Sequence, residues 1–172
     1  MKIIFLDMDG VVCTPRYAVA NGIRGLLDVL DPCGVEFLNR LLDVDPTIKF
    51  VISSSWRKIY TAEELLNHMR KAGFKGKFHM DWRTGQDGKG QRGREINEWL
   101  NRHPDIEEYL IIDDEVSDIY PYISEDKVAQ TSMYDGILWD HFLRFQKILF
   151  GNDHAWLDWD VARTGNKATI PL

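Results

Sequence analysis

The chain has 172 residues, of which 44% are hydrophobic, so it suits a single domain with a substantial core. A formal net charge of −6 argues against general affinity for nucleic acid, and no apolar run is long enough to span a membrane. The chain starts directly on a predicted strand, so we expect no signal peptide and a cytoplasmic protein. Cys13 and Cys33 lie in no metal-binding motif, which predicts free thiols and no structural zinc.

The first predicted element is a strand that runs into a pair of acids. Ile3 to Leu6 is uninterrupted by polar residues, as is typical of a strand buried on both faces of a parallel sheet. Asp7 and Asp9 follow, and Gly10 allows a sharp turn. Chemistry in open parallel sheets lies beyond the carboxyl ends of the strands, so both acids are candidate site residues. The structural alternative is a strand followed by an acidic turn.

Two carboxylates at this spacing suit phosphoryl transfer. One can attack phosphorus and form an aspartyl-phosphate, while the other carries a proton. Two anions so close oppose each other's ionisation unless a cation lies between them. Mg²⁺ prefers oxygen ligands and would also screen a phosphate, so the pattern indicates Mg²⁺ as the cofactor.

The next elements lead to a second polar strand end. The segment 11–31 is predicted to be irregular, in keeping with a hairpin-like flap, and Pro32 to Val44 is predicted to be a helix. A strand from Ile48 to Ile52 then ends in three serines, a tryptophan and an arginine. A serine hydroxyl there can donate to a phosphoryl oxygen. Ser53 directly follows the apolar run and is favoured over Ser54.

Arg57 follows these serines and can hold two phosphate oxygens at once. Alternatively, the serines cap the next turn, the interpretation favoured for Ser55. Thr61 to Ala72 is predicted to be a helix that opens with a capping box, and Phe78 to Trp82 a short strand. The following Gly-rich segment lacks the GxxxxGK[ST] pattern, which argues against a nucleotide-binding loop.

Positive charge is concentrated between Arg70 and Arg94, a span that contains eight Lys or Arg and only two acidic residues. This span is either a landing surface for a polyanion or an ordinary solvated region, and the sequence favours neither. A helix follows to Arg102, on which Arg94 can pair with Glu98 one turn further on.

The strand from Tyr109 to Ile112 ends in a second acidic group, Asp113, Asp114 and Glu115, with Asp118 close behind. The alternative for this group is a calcium-like or solvated loop. A short strand from Lys127 to Thr131 and a helix from Trp139 to Phe150 complete the core. The tryptophans of the tail, 151–172, are predicted to pack on the body, with contact to a partner as the alternative.

The stretch Phe5-Leu6-Asp7-Met8-Asp9-Gly10-Val11-Val12 resembles the first motif of the haloacid dehalogenase (HAD) superfamily of phosphatases. The serines after Ile52 and the acids after Ile112 resemble the second and fourth motifs, in the family's order. The resemblance implies that Asp7 is the nucleophile and that Asp9 is the general acid and base, which also gives a backbone carbonyl to Mg²⁺. It implies Asp113 as a direct metal ligand, with Asp114 and Asp118 ligating directly or through water.

The third HAD motif is a Lys or Arg that neutralises the phosphoryl group. Arg92 fits this role best, with Arg94 and Lys89 as alternatives. The resemblance and the strand-end chemistry together name four candidate substrate contacts: Gly10, Ser54, Arg57 and Arg94.

The resemblance implies a Rossmann-like α/β fold, a three-layer sandwich with a central parallel sheet and no large cap. We expect one domain over 1–172, with a catalytic core of about 1–150. The implied activity is Mg²⁺-dependent hydrolysis of a phosphomonoester. An open site beside a basic span favours a nucleotide or a nucleic-acid end, as in HAD domains of polynucleotide and RNA repair proteins. The alternatives are a small-metabolite phosphatase, a receiver-like phosphorylated signalling module and a non-catalytic phosphate-binding scaffold.

Overall fold

Five parallel strands form the centre of the fold, in the spatial order β3-β2-β1-β4-β5. The computed structural model describes residues 1–24, 29–85 and 91–165. The strands are β1 (Lys2–Leu6), β2 (Lys49–Ile52), β3 (Phe78–Arg83), β4 (Glu108–Asp113) and β5 (Val128–Gln130). Helices cover the sheet, so the predicted Rossmann-like sandwich with a parallel sheet is confirmed.

In the described part of the chain, six α-helices connect or follow these strands: α1 (Pro15–Ala20), α2 (Pro32–Val44), α3 (Ala62–Lys71), α4 (Arg92–Arg102), α5 (Trp139–Phe150) and α6 (Ala155–Thr164). The predicted bounds of α2 and the capping box of α3 are confirmed. None of the described helices is both long enough and apolar enough to cross a membrane.

The prediction of an irregular segment after the first motif was wrong for α1. Thr14 accepts a hydrogen bond from the backbone N–H of Tyr17 at 3.3 Å, and Pro15 occupies the first helical turn. A capping hydroxyl followed by proline is a helix-start signal that outweighs the nearby glycines.

The strand β1 is buried on both faces, as its apolar run predicts. Ile4 and Leu6 belong to the core formed with α2, α3 and α5. Ile3 and Phe5 face the opposite core, where the ring of Phe5 meets that of Trp99 on α4 edge-on, with 5.2 Å between ring centroids. Helices on both faces therefore shield this strand from water, and only its ends are accessible.

The prediction that the tail packs on the body is confirmed for α6, which lies against α2 and α5. The indole of Trp156 donates to Asp43 at 3.2 Å, and its backbone N–H donates to the side chain of Gln146 at 2.7 Å. Residues 166–172 lie outside the described part of the chain.

Candidate active site

The sheet register brings three polar strand ends together. Leu6 is aligned with Ile52 of β2 on one side and with Ile112 of β4 on the other, so the residues that follow them also meet. The chain leaves β1 toward β2 on one side and later returns to β4 on the other. This is the topological switch point at which open α/β sheets bind ligands. The site is therefore positioned by backbone pairing.

Three carboxylates converge at this point. Asp7, Asp113 and Asp114 each offer an oxygen within 4.8 Å of the others, and the first two are buried. Burial raises the pKa of Asp113, and the charge of Asp7 raises it further. The pKa of Asp114 is raised by the same two causes. A close set of oxygen donors that oppose each other's ionisation is suited to hold a hard divalent cation.

Arg92 is the cation that contacts this cluster. Its Nη1 donates to Asp7 at 2.6 Å and also to Asp113. Burial alone would lower the pKa of Arg92, but the two carboxylates outweigh it and the pKa is raised. Arg94 instead pairs with Glu98 at 2.9 Å on the exposed side of α4, and Lys89 lies outside the described residues.

The first turn of α4 is docked on the loop after β4, and this places Arg92. The carboxylate of Asp118 accepts the backbone N–H of Arg92 at 2.8 Å. A Cβ on Gly93 would lie 2.6 Å from the carbonyl oxygen of Ile119, so only glycine allows this approach. Asp118, expected near the metal, thus anchors the helix. Among the described residues it does not join the carboxylate cluster.

Asp9 does not belong to the three-carboxylate cluster found among the described residues. Its Oδ2 accepts the indole N–H of Trp56 at 3.0 Å. Partial burial of the carboxyl raises the pKa of Asp9; the bond from Trp56 opposes this rise and the charge of Asp7 adds to it. A raised pKa suits a group that must hold and release a proton. Metal ligation by the Asp9 carbonyl stays a prediction.

The two candidate serines have different surroundings. Ser53 is buried and its Oγ accepts a bond from the hydroxyl of Thr84 at 3.3 Å, which leaves its own proton for donation. The side chain of Ser54 accepts the backbone N–H of Trp56 at 3.4 Å and caps the short 3-10 turn Ser55–Lys58. The sequence favours Ser55 as a capping serine, whereas in the structure Ser54 caps this turn.

Arg57 is bound within the protein. Its Nη2 meets Glu95 of α4 at 2.6 Å, and its Nη1 donates to the carbonyl of Ser54 at 2.6 Å. Both side chains of this ion pair are buried. Burial lowers the pKa of Arg57, although the charge of Glu95 opposes this. In this arrangement Arg57 and the exposed Arg94 both have carboxylate partners outside the three-acid cluster, and their contact with a substrate stays a prediction.

Gly10 is required where the loop after β1 passes Asp114. Its φ is +66°, and a Cβ there would lie 2.5 Å from Cγ of Asp114. We expect Gly10→Ala to weaken divalent-cation binding, because the methyl group displaces one carboxylate of the cluster. The left-handed backbone adds about 1–2 kcal/mol of strain.

Gly22→Ala is the matched control, because Gly22 has a φ of +64° and none of the described residues lies within 4 Å of the added Cβ. Calorimetric titration with MgCl₂ measures the difference. Equal weakening in both variants would show that the contact with Asp114 is unimportant.

In EDTA, the stability of the protein should fall with rising pH relative to that of Asp113→Asn. The pKa of Asp113 is higher in the folded than in the unfolded chain. From about pH 4 upward the folded state therefore binds more protons, and the free energy of unfolding decreases. The pKa values of His79 and His141, lowered by burial, act in the opposite direction but cancel in the difference.

Urea denaturation of both proteins from about pH 5 to about pH 8 tests this expectation. MgCl₂ should restore wild-type stability at the upper end of this range, because it binds the folded state. Parallel pH profiles for the two proteins would contradict the raised pKa of Asp113.

Comparison with known protein families shows the family to which the chain belongs. The family described as "HAD domain in Swiss Army Knife RNA repair proteins" matches residues 3–142. No curated protein and no solved structure gives a significant match. The matched range runs from β1 into α5 and includes every residue of the acidic cluster together with Arg92. The chain therefore belongs to the HAD domains of the RNA-repair type.

Proposed function

We propose that the protein is a Mg²⁺-dependent phosphomonoester hydrolase that uses Asp7 as its nucleophile and acts on the phosphorylated ends of nucleic acids. One observation carries the proposal: Arg92 spans Asp7 and Asp113 at the switch point of the sheet, with Asp114 beside them. Membership of a HAD family supports a hydrolase. The clustered oxygen donors support a metal site without identifying the ion.

In the proposed reaction a carboxylate oxygen of Asp7 attacks phosphorus as the bond to the leaving oxygen breaks. Asp9 gives its proton to that leaving oxygen. Asp9 then takes a proton from water, the water oxygen attacks phosphorus, and the bond to Asp7 breaks to release phosphate. Arg92 and the hydroxyl of Ser53 stabilise the charge on the transferring group. Mg²⁺ held by Asp7, Asp113 and Asp114 would supply further positive charge at the phosphoryl oxygens.

Asp7 is well oriented for this attack. Its Oδ1 accepts the backbone N–H of Met8 at 2.8 Å and its Oδ2 accepts Arg92 at 2.6 Å, so both oxygens are fixed. A fixed carboxylate loses little entropy when it reacts.

The surroundings of the site support a large substrate. Among the described residues, only α1 and α2 lie between the first two catalytic strands, and no domain covers the mouth. The loops that follow β4 and β5 expose three aromatic side chains suited to stack on bases, Tyr120, Tyr122 and Tyr134. Within the basic span, Arg94 is paired with Glu98, which reduces its availability to a polyanion. Residues 86–90, which include Lys89, lie outside the described part of the chain.

A comparison of substrates tests the proposal. We expect kcat/KM on a 3′- or 5′-phosphorylated oligonucleotide to exceed that on a hexose phosphate by about tenfold or more, and EDTA to abolish both activities. The same oligonucleotide without its phosphate should inhibit competitively. Comparable turnover of both substrates would remove support for a nucleic-acid end.

The net charge of −6 favours the second candidate, a small-metabolite phosphatase, because an acidic protein repels polyanions at long range. The same assay distinguishes the two. A receiver-like module would instead accumulate a stable phosphorylated form without turnover.

A further inference from the structure

The indole of Trp56 connects the mouth of the site to the core. Its ring is buried and packs against Tyr60 and His68, with 5.6 Å and 5.9 Å between ring centroids. Its Nε1–H extends from this packing to Oδ2 of Asp9 at 3.0 Å. Trp56 is therefore held on its apolar sides and presents one donor to one carboxylate.

The side chain of Asp9 is partly exposed, unlike the buried side chains of Asp7 and Asp113. A partly exposed aspartate can populate several rotamers, and a general acid is effective only when its proton is held near the leaving oxygen. Cys13 gives Asp9 a second side-chain hydrogen bond, but a thiol is a weak donor. The indole N–H is thus the stronger of the two restraints on the Asp9 side chain.

We propose that Trp56 is a positioning residue for Asp9, whose Oδ2 it holds so that Oδ1 carries the transferred proton. This inference rests on the proposed phosphatase function. An indole N–H donates but cannot accept, so Trp56 cannot take up the proton itself. The proton passes from Oδ1 to the leaving oxygen as the phosphorus–oxygen bond breaks and the bond to Asp7 forms.

A positioning role makes a specific prediction about leaving groups. p-Nitrophenolate is a good leaving group that departs without protonation, whereas the alkoxide of benzyl phosphate must be protonated as it leaves. These two esters are similar in size and charge. We expect Trp56→Phe to lower kcat/KM for benzyl phosphate about tenfold more than for p-nitrophenyl phosphate. kcat/KM is the appropriate measure because it reports the phosphoryl-transfer step.

Trp99→Phe is the matched control, because Trp99 is also a buried indole and donates to the carbonyl of Asp81 at 2.9 Å, away from the acids. Its loss should lower the melting temperature and leave the ratio of the two kcat/KM values unchanged. Trp56→His keeps a ring N–H, so its ratio of the two kcat/KM values should lie between that of the wild type and that of Trp56→Phe. If Trp56→Phe does not fold, Trp56→Leu removes the same donor with a different shape.

If Trp56→Phe and Trp56→Leu lower kcat/KM equally for both esters, the positioning role is overturned. Hydrolysis of the esters by the wild type would in that case still support the proposed function. A wild-type protein that hydrolyses neither ester and does not release phosphate from the phosphorylated oligonucleotide would overturn the proposed function, and the role of Trp56 with it. Asp9→Asn removes the general acid itself, so the difference that it causes between the two esters is the largest that loss of the Trp56 N–H can produce.

Discussion

Replacing Asp7 by Asn should lower kcat/KM on p-nitrophenyl phosphate by about a thousandfold or more, because an amide cannot act as the nucleophile. The substitution changes neither the size of the side chain nor the strand that carries it. It removes the charge that Arg92 faces across 2.6 Å, so both the chemistry and the electrostatics of the site are affected. The measurement is steady-state hydrolysis with and without Mg²⁺.

Asp43→Asn is a suitable control, because Asp43 pairs with Arg40 on α2 and lies outside the acidic cluster. It should keep the wild-type rate within about twofold. A second readout is an acid-quenched wild-type reaction, in which a hydroxylamine-sensitive phosphoryl group should appear on the peptide that contains Asp7. Substantial residual activity in Asp7→Asn would show that another group attacks phosphorus.

Replacing Arg57 by Met should destabilise the protein by about 3–5 kcal/mol, because Glu95 would remain buried without a partner. The two side chains are only 7% and 5% exposed. Removal of both charges, as Arg57→Met with Glu95→Leu, should restore most of the stability, since no unpaired ion is left. Urea denaturation of the wild type and these two variants measures this difference.

Arg94→Met provides the comparison, because Arg94 lies on α4, the helix that carries Glu95. The pair of Arg94 and Glu98 is exposed, so its loss should change the stability little. A similarly small change in the free energy of unfolding for Arg57→Met would show that the buried ion pair of Arg57 and Glu95 is unimportant for stability. In the folded double variant, an unchanged KM would show that Arg57 does not contact the substrate, whereas a raised KM would support the prediction that it does.

The sequence predicted the parts of the site that follow from strand ends. Apolar runs before Asp7 and before Asp113 predict two buried parallel strands, and parallel strands place their carboxyl ends on one edge. The resemblance to the HAD motifs implied that these two acids meet around one metal ion. The Rossmann-like fold was likewise implied by the resemblance.

The remaining features depend on tertiary contacts that leave little trace in the local sequence. The resemblance favours Arg92 over Arg94 and Lys89, but the contacts that place Arg92, from Gly93 to Ile119 and from the Arg92 backbone to Asp118, are not visible in the sequence. Arg57 finds its partner 38 residues further along the chain, on a helix whose pattern does not mark Glu95.

Two further features were not predicted. The hydrogen bond from the indole of Trp56 to Asp9 could not be read from the sequence, because the donor follows the serines and the acceptor belongs to the first motif. The helix α6 was hidden by the polar composition of the tail, although Trp156 anchors it to α2.

The attachment of α4 to the loop after β4 limits how the mouth of the site can be remodelled. The arginine at the start of that helix and the acids at the end of the strand form one unit, held by Asp118 and the close approach at Gly93. An insertion that separates them would disturb the charge balance of the cluster. A grafted lid is better placed near α1, on the segment between the first motif and α2, where new selectivity could be added without changing the Arg92 geometry.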